Sequence, residues 1–144
     1  VSKTFSKVYG MAGLRVGYLI AKPEIAAQIR KNVVAMSNVL AVEAAKEALV
    51  DDAFYQFSLA QNKEAKARIY SLLDQLKLTY VKSHTNFIFF NAKKDIRELG
   101  PAMLANGVRI GRPFPPFYDW CRISTGTQEE VSIFIKGMME VYQG

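Results

Sequence analysis

The stretch "SKTFSKVYGMAGLRVGY", residues 2–18, combines two lysines, an arginine and three serine or threonine residues with three glycines. It predicts the end of one strand, a glycine-containing loop over 6–13 and a second strand over 14–21. Basic and hydroxyl side chains beside flexible glycines can bind a phosphate, because they offer charged and neutral donors close to the backbone. A solvated turn between two strands is the alternative, and composition alone favours it.

Four residues of this stretch are candidates for cofactor chemistry. An amine that bonds to an aldehyde must first lose its proton, and Lys7 has the small and aromatic neighbours that could desolvate it. Thr4 and Ser6 supply short hydroxyl donors, and Arg15 supplies a two-pronged guanidinium for a phosphate. Lys3 competes with Lys7 as the reactive amine, although its place inside an extended segment suits an exposed strand position. Spacing alone does not decide between these interpretations.

The bulk composition is that of a globular protein. The chain has 144 residues, half of them hydrophobic, and a net charge of +6. Basic and acidic residues are mixed along segments such as 61–78, which is typical of a solvated helix face, so we expect no nucleic-acid partner. No apolar run is long enough to cross a bilayer, so we expect no membrane partner either. Cys121 is the single cysteine, which favours a reducing compartment. The first residue is Val1 rather than methionine, so we expect a piece of a longer chain.

Periodicity predicts helices in the first part of the chain and a compact α+β unit in the second. Ser37 and Asn38 can cap a helix that follows a short joint. The predicted helices are 23–34, 41–52, a long amphipathic helix ending near Leu78, 95–107 with an interruption at Gly100-Pro101, and 129–142. The predicted strands of the second part are 86–92, 108–111 and 121–125.

A second candidate site lies in "DWCRISTGT", residues 119–127. Arg122 on this strand is either an exposed arginine in a surface ion pair or a rigid clamp for a carboxylate. Upstream, Arg112 directly precedes the loop that returns to Arg122, whereas we expect Arg109 to face solvent. His84 has no second ligand at metal-binding spacing, so no metal site is expected.

The segment "KTFSKVYGMAGLRVGY" resembles the cofactor-lysine segment of the class I/II, fold-type I pyridoxal-phosphate aminotransferases, and most of all their histidinol-phosphate aminotransferase branch. The resemblance implies an α/β fold, namely the end of the cofactor-binding large domain followed by the α+β small domain. The domains it implies are 1–36 for the end of the large domain, 37–78 for interdomain helices and 79–144 for the small domain.

The resemblance also implies roles for the residues of the opening stretch. Lys7 forms the internal aldimine with pyridoxal 5'-phosphate. Ser6 and Arg15 bind the cofactor phosphate, and Thr4 occupies the hydroxyl position that assists them.

Three further residues match the family's substrate positions. The segment 119–127 is similar to a motif near the family's C-terminus, whose arginine holds the amino-acid carboxylate, so the resemblance gives that role to Arg122. Arg112 occupies a position from which the substrate side chain or its phosphate is reached, and a structural role in the loop is the alternative for this residue. Asn38 lies in the loop that borders the active site. A glycine before Arg112 departs from the pattern, which leaves the side chain of the amino donor open.

The function that the resemblance implies is amino-group transfer between an L-amino acid, such as histidinol phosphate or an aromatic amino acid, and a 2-oxo acid. It further implies a cytoplasmic homodimer. The likeness covers only the C-terminal portion of a family member, so we expect the chain by itself to be inactive. The alternatives are a decarboxylase of the threonine-phosphate type and a non-catalytic interaction fragment.

Overall fold

A computed structural model describes residues 1–143. The chain is α/β, as predicted, and divides into two compact units, residues 1–59 and the residues from 60 onward. The division into 1–36, 37–78 and 79–144 stays a prediction. None of the described helices is both long enough and apolar enough to cross a bilayer.

The first unit is a two-stranded hairpin followed by helices. Its elements are β1 (Ser2–Thr4), β2 (Gly17–Leu19), α1 (Pro23–Lys31), α2 (Val39–Val50) and the first turns of α3 (Asp52–Gln75). The two strands are antiparallel, with Thr4 opposite Gly17. The second strand was expected from Leu14, but Ala12–Leu14 form a 3-10 turn, and pairing therefore begins only at Gly17.

Helix α1 begins as predicted and ends early. Pro23 occupies the first turn, where a missing N–H costs nothing, and Glu24 favours the positive end of the helix dipole. The helix ends at Lys31 rather than at Val34, because Asn32 closes it through its backbone N–H and its side chain donates to the Gln28 carbonyl at 2.9 Å.

The second unit is an antiparallel three-stranded sheet covered by helices on one face. Its elements are β3 (Tyr80–Val81), β4 (Phe87–Asn91), α4 (Ile96–Ala105), β5 (Trp120–Ser124) and α5 (Gln128–Gln143), and the strand order is β3-β4-β5. Ile88, Phe90 and Cys121 point into a core shared with α3, α4 and α5. Burial raises the pKa of the Cys121 thiol to about 12. Since side chains alternate along a strand, the neighbours of these residues lie on the opposite, outer face.

Two predictions for this unit are wrong. Residues 108–111 form no strand, because the chain is still closing α4 there: the Val108 N–H donates to the Met103 carbonyl at 2.9 Å. Helix α4 is not interrupted at Pro101 but continues through it. Pro101 is exposed, so water can solvate the carbonyl that its missing N–H leaves unpaired.

Candidate active site

The end of the β1–β2 hairpin brings the two predicted hydroxyl groups together. Thr4 Oγ1 donates to Ser6 Oγ at 2.8 Å, and the Ser6 N–H donates to Thr4 Oγ1 at 3.1 Å. Phe5 lies between them, buried, and its N–H donates to the Val16 carbonyl at 3.2 Å. The hydroxyls are therefore fixed at the point where the hairpin opens into its loop.

Lys7 lies at the start of that loop. Its carbonyl accepts from the Gly10 N–H at 2.9 Å, and Gly10 has φ +69°, a left-handed conformation that favours glycine. The aromatic neighbours expected to desolvate the amine pack on each other instead: the rings of Phe5 and Tyr9 are 5.0 Å apart. Lys7 itself is exposed, so residues 1–143 do not enclose its amine.

Arg15 holds an unusual backbone conformation near the same end of the hairpin. Its φ is +52°, in the left-handed region that non-glycine residues rarely adopt, and its Nη1 donates to the Ala12 carbonyl at 2.7 Å. Such strain persists where the surrounding structure or a function requires it. The hairpin register places Arg15 beside the loop that carries Ser6 and Lys7, because the ladder runs from Thr4 opposite Gly17 through Phe5 and Val16.

Glycine is required at position 17 for a structural reason that the sequence did not reveal. A Cβ at Gly17 would lie 2.6 Å from the Lys3 carbonyl oxygen, so only glycine allows the two strands to approach. Gly13, in contrast, has open space around it. Of the two glycines in the loop, Gly10 and Gly13, only Gly10 adopts positive φ.

Arg122 lies on the outer face of β5, opposite Phe89 of β4. The side chain is exposed, because its neighbour Cys121 points into the core. The guanidinium carbon is 5.4 Å from the centre of the Phe87 ring and 5.2 Å from that of Phe114. The two ion pairs found within residues 1–143 are Glu43–Lys46 and Asp95–Arg97, so neither involves Arg122. Its N–H groups thus have no acidic partner among the described residues.

Arg112 contacts the Phe114 ring that Arg122 also contacts. Its guanidinium carbon is 4.8 Å from the centre of the Phe114 ring. The backbone joins the two segments as well, because the Gly111 N–H donates to the Arg122 carbonyl at 3.1 Å. The glycine that departs from the family pattern is what permits this approach: a Cβ at Gly111 would lie 2.5 Å from that oxygen. Arg109 is exposed, as expected.

The C-terminal end of β5 is anchored by side chains. Thr125 Oγ1 lies 2.9 Å from both Asn62 Oδ1 and the Asn86 carbonyl. Thr127 and Glu130 then form a capping box for α5, in which the Thr127 N–H donates to Glu130 Oε2 at 2.8 Å and the Glu130 N–H donates to Thr127 Oγ1 at 3.3 Å. The strand that carries Arg122 is therefore held rigidly at its end.

Asn38 has a structural task at the start of α2. Its Oδ1 accepts from the N–H groups of Leu40 at 2.9 Å and Ala41 at 3.4 Å, which is the N-cap interaction predicted from the sequence. Its contact with substrate stays a prediction. Within residues 1–143 no group of three or more histidine, cysteine, aspartate or glutamate side chains is placed to hold a metal ion.

Sequence reasoning did not identify Phe87 and Phe114 as residues of the site. Phe114 belongs to the loop "RPFPPFYD", in which proline and aromatic residues are unusually dense, and that composition is the signal that points to it. Phe87 gives no such signal. Its contact with Arg122 depends on the pairing of β4 with β5, where Phe87 is opposite Ser124.

Comparison with known proteins assigns the chain to one family of known fold. The family model "Aminotransferase class I and II" matches residues 1–138, and the chain belongs to this family. A histidinol-phosphate aminotransferase of Moorella thermoacetica is 40% identical over 149 aligned positions, gaps included. The alignment covers 98% of this chain and 37% of that protein.

Two solved structures with the same fold carry informative names. One is the histidinol-phosphate aminotransferase of Sinorhizobium meliloti in complex with pyridoxal-5'-phosphate, with a TM-score of 0.82 and 28% identity to this chain. The match covers 99% of this chain and 40% of the Sinorhizobium meliloti chain. The other is L-threonine-O-3-phosphate decarboxylase of Porphyromonas gingivalis, with a TM-score of 0.73 and 28% identity to this chain. The match covers 99% of this chain and 46% of the decarboxylase chain. The chain spans about two fifths of the length of the curated relatives that it matches.

Proposed function

We propose that the protein containing this chain transfers amino groups between an L-amino acid and a 2-oxo acid with pyridoxal 5'-phosphate as cofactor. The observation that carries the proposal is the end of the β1–β2 hairpin, where the Thr4–Ser6 hydroxyl pair lies beside the residues Lys7 and Arg15. Family membership supports it, as does the Sinorhizobium meliloti relative whose structure contains this cofactor.

The donors at the hairpin end fit the cofactor's phosphate. Two hydroxyls 2.8 Å apart and a guanidinium are groups that bind phosphate oxygens, and neither ion pair within residues 1–143 occupies Arg15 or Lys7. When bound, pyridoxal phosphate supplies an aldehyde that bonds to amino groups and a ring that withdraws electron density from the substrate's Cα. Thr4, Ser6 and Arg15 would hold the phosphate, and the Lys7 amine would meet the aldehyde.

The remaining steps are assigned to side chains of this chain. Lys7 Nζ would act as the base that takes the proton from the substrate's Cα and holds it for return. Arg122 binds the substrate carboxylate through two parallel N–H groups, which fixes the orientation of the Cα–H bond. Asn38 is retained as a residue that borders the substrate.

The chemical class of the amino donor is inferred from the cations and aromatic rings on the outer face of the sheet. Arg112 and Arg122 share the Phe114 ring and have no acidic partner among the described residues. A donor with a second anionic group, such as histidinol phosphate, or one with an aromatic side chain suits this combination of cations and rings. The name of the Moorella thermoacetica relative supports the first of these.

A second candidate function is decarboxylation of a phosphorylated amino acid. The structural match to the Porphyromonas gingivalis decarboxylase covers 99% of this chain, so the same fold occurs in a protein of that name. The two functions differ in which bond to Cα breaks, and therefore in the product released.

The test is a half-reaction assay of the protein expressed from its complete gene and loaded with pyridoxal phosphate. We expect the assay to form a 2-oxo acid from an amino acid, whereas release of carbon dioxide would support the decarboxylase. If neither product forms, both candidate functions are contradicted. Replacing Arg122→Lys should raise the KM for the amino acid about tenfold or more, since a charged two-pronged contact is lost. Arg109→Lys, an exposed arginine of a neighbouring segment, is the matched control and should leave the KM unchanged.

We also propose that the protein is a homodimer, as the family resemblance implies. The exposed apolar side chains of segment 33–40 support this, because Val34 is 100% and Met36 94% exposed in the chain by itself. Sedimentation of the protein expressed from its complete gene tests it, and a monomer at micromolar concentration would contradict it.

A further inference from the structure

Phe114 contacts both arginines of the proposed substrate face. Its ring centre is 4.8 Å from the guanidinium carbon of Arg112 and 5.2 Å from that of Arg122, and both distances fall within the range of cation–π attraction. Neither arginine takes part in the two ion pairs found within residues 1–143. Within that part of the chain, no other aromatic ring contacts both guanidinium groups.

The Phe114 ring is itself held by the sheet. Phe89 meets it edge to face, with the ring centres 5.9 Å apart and the planes at 82°. Phe89 packs in turn on Trp120 at 5.0 Å, and it lies opposite Arg122 in the ladder between β4 and β5. The ring is therefore fixed to the strands rather than left free on a loop.

We propose that Phe114 is a positioning residue that holds the guanidinium groups of Arg112 and Arg122 side by side on the outer face of the sheet. A ring against the flat face of a guanidinium leaves the N–H groups at its edge available for an anion. An arginine that is already ordered loses less side-chain entropy when it binds a carboxylate. The inference deepens the proposed function and rests on the role of Arg122 in it.

The neighbouring aromatic residues allow a sharp design. Phe87 contacts Arg122 at 5.4 Å and is not among the cation–π contacts of Arg112. Phe117, an exposed ring in the same loop, makes no such contact with either arginine among the described residues. Phe114→Leu therefore removes a ring from both arginines, Phe87→Leu removes one from Arg122 alone, and Phe117→Leu removes none. Phe114→Tyr keeps the ring.

The first measurement is independent of activity. Arginine side-chain Nε–Hε resonances are recorded on the protein expressed from its complete gene with ¹⁵N-labelled arginine, and are assigned with Arg112→Lys and Arg122→Lys. A ring shields protons above its face, so Phe114→Leu should shift both resonances downfield, Phe87→Leu only that of Arg122, and Phe114→Tyr and Phe117→Leu neither. The Arg68 side chain donates hydrogen bonds to Gln128 and Ser132 on the helical side of the unit, so an unchanged Arg68 resonance shows that a variant is folded. Unmoved resonances in a folded Phe114→Leu variant overturn the proposal.

The second measurement is the amino-acid half-reaction of the same variants. Phe114→Leu should raise the KM about three- to fivefold with kcat nearly unchanged, because an exposed cation–π contact is lost from the carboxylate arginine. Phe114→Tyr should restore the KM. Shifted resonances with an unchanged KM overturn the positioning role. If the wild-type protein transfers no amino group, the proposed function falls and the role of Phe114 in substrate binding falls with it, whereas the resonances still decide whether Phe114 holds the two arginines.

Discussion

Gly111 brings the chain before Arg112 within hydrogen-bond distance of β5. Its N–H donates to the Arg122 carbonyl at 3.1 Å, and an added Cβ would lie 2.5 Å from that oxygen. We predict that Gly111→Ala lowers the free energy of unfolding by about 1–3 kcal/mol, because backbone atoms must move apart. It should also raise the KM for the amino acid, since Arg122 moves with its backbone.

The control for this prediction is Gly100→Ala. Gly100 lies inside α4, and no atom beyond its two chain neighbours and the nearby backbone of its own helix lies within 4 Å of an added Cβ. Alanine there should change the free energy of unfolding by less than about 0.5 kcal/mol, because its better helix propensity is offset by the restriction that Pro101 places on the residue before it. Denaturant unfolding measures both variants. A loss of equal size in the two variants would show that the close approach at Gly111 does not determine its effect.

At the scale of single residues, the sequence is most informative where neighbours in the chain are neighbours in space. Thr4 and Ser6 are two positions apart and hydrogen-bonded, so their pairing follows from a local motif. Phe114 is eight positions from Arg122, and its contact depends on the path of the intervening loop and on Phe89 from another strand. That contact could not be predicted from spacing.

At the scale of elements, Asn38 is the clearest case of a residue with two proposed roles. Its Oδ1 caps α2, and we predict that Asn38→Ala costs about 1 kcal/mol of stability. Asn38→Ser keeps a capping oxygen but removes the amide nitrogen. If Asn38 contacts substrate as proposed, the serine variant should keep its melting temperature and show a raised KM for the amino acid. An unchanged KM in the serine variant would leave Asn38 as a cap only.

Helices were easier to predict than strands, and the physical reason is the range of the interactions. Caps and apolar periodicity are local, so α2, α3 and α5 appear close to their predicted bounds. Strand β3, Tyr80–Val81, is two residues long and exists only because it pairs with Phe89 and Phe90 of β4. Residues 108–111 have a strand-like composition but form a single hydrogen bond to β5, from Gly111 to Arg122.

The two units of the chain differ in how much apolar surface they bury. The second unit has a core of sixteen buried residues, whereas within residues 1–59 only Phe5, Ala41 and Ala45 are buried. Val34, Met36 and Leu40 are 100%, 94% and 77% exposed. A unit with so small a core gains little from the hydrophobic effect.

This difference predicts a gradient of local stability in the 144-residue chain. In hydrogen exchange, the amides of β4, β5 and α5 should exchange slowest, and those of α1 should exchange near the rate of an unfolded chain. In the proposed homodimer, the amides of residues 1–59 should gain protection, because the partner subunit would cover exposed apolar side chains such as Val34 and Met36. Equal protection of both units in the 144-residue chain would contradict this account of where the stability lies.

Borohydride reduction tests the proposed bond between the Lys7 amine and the aldehyde of pyridoxal phosphate. The protein expressed from its complete gene is incubated with the cofactor and reduced, and its peptides are analysed by mass spectrometry. We predict a phosphopyridoxyl group on Lys7, its loss in Lys7→Arg and its retention in Lys3→Arg. Modification of Lys3 with Lys7 untouched, or no modified peptide in residues 1–18, would contradict this proposal.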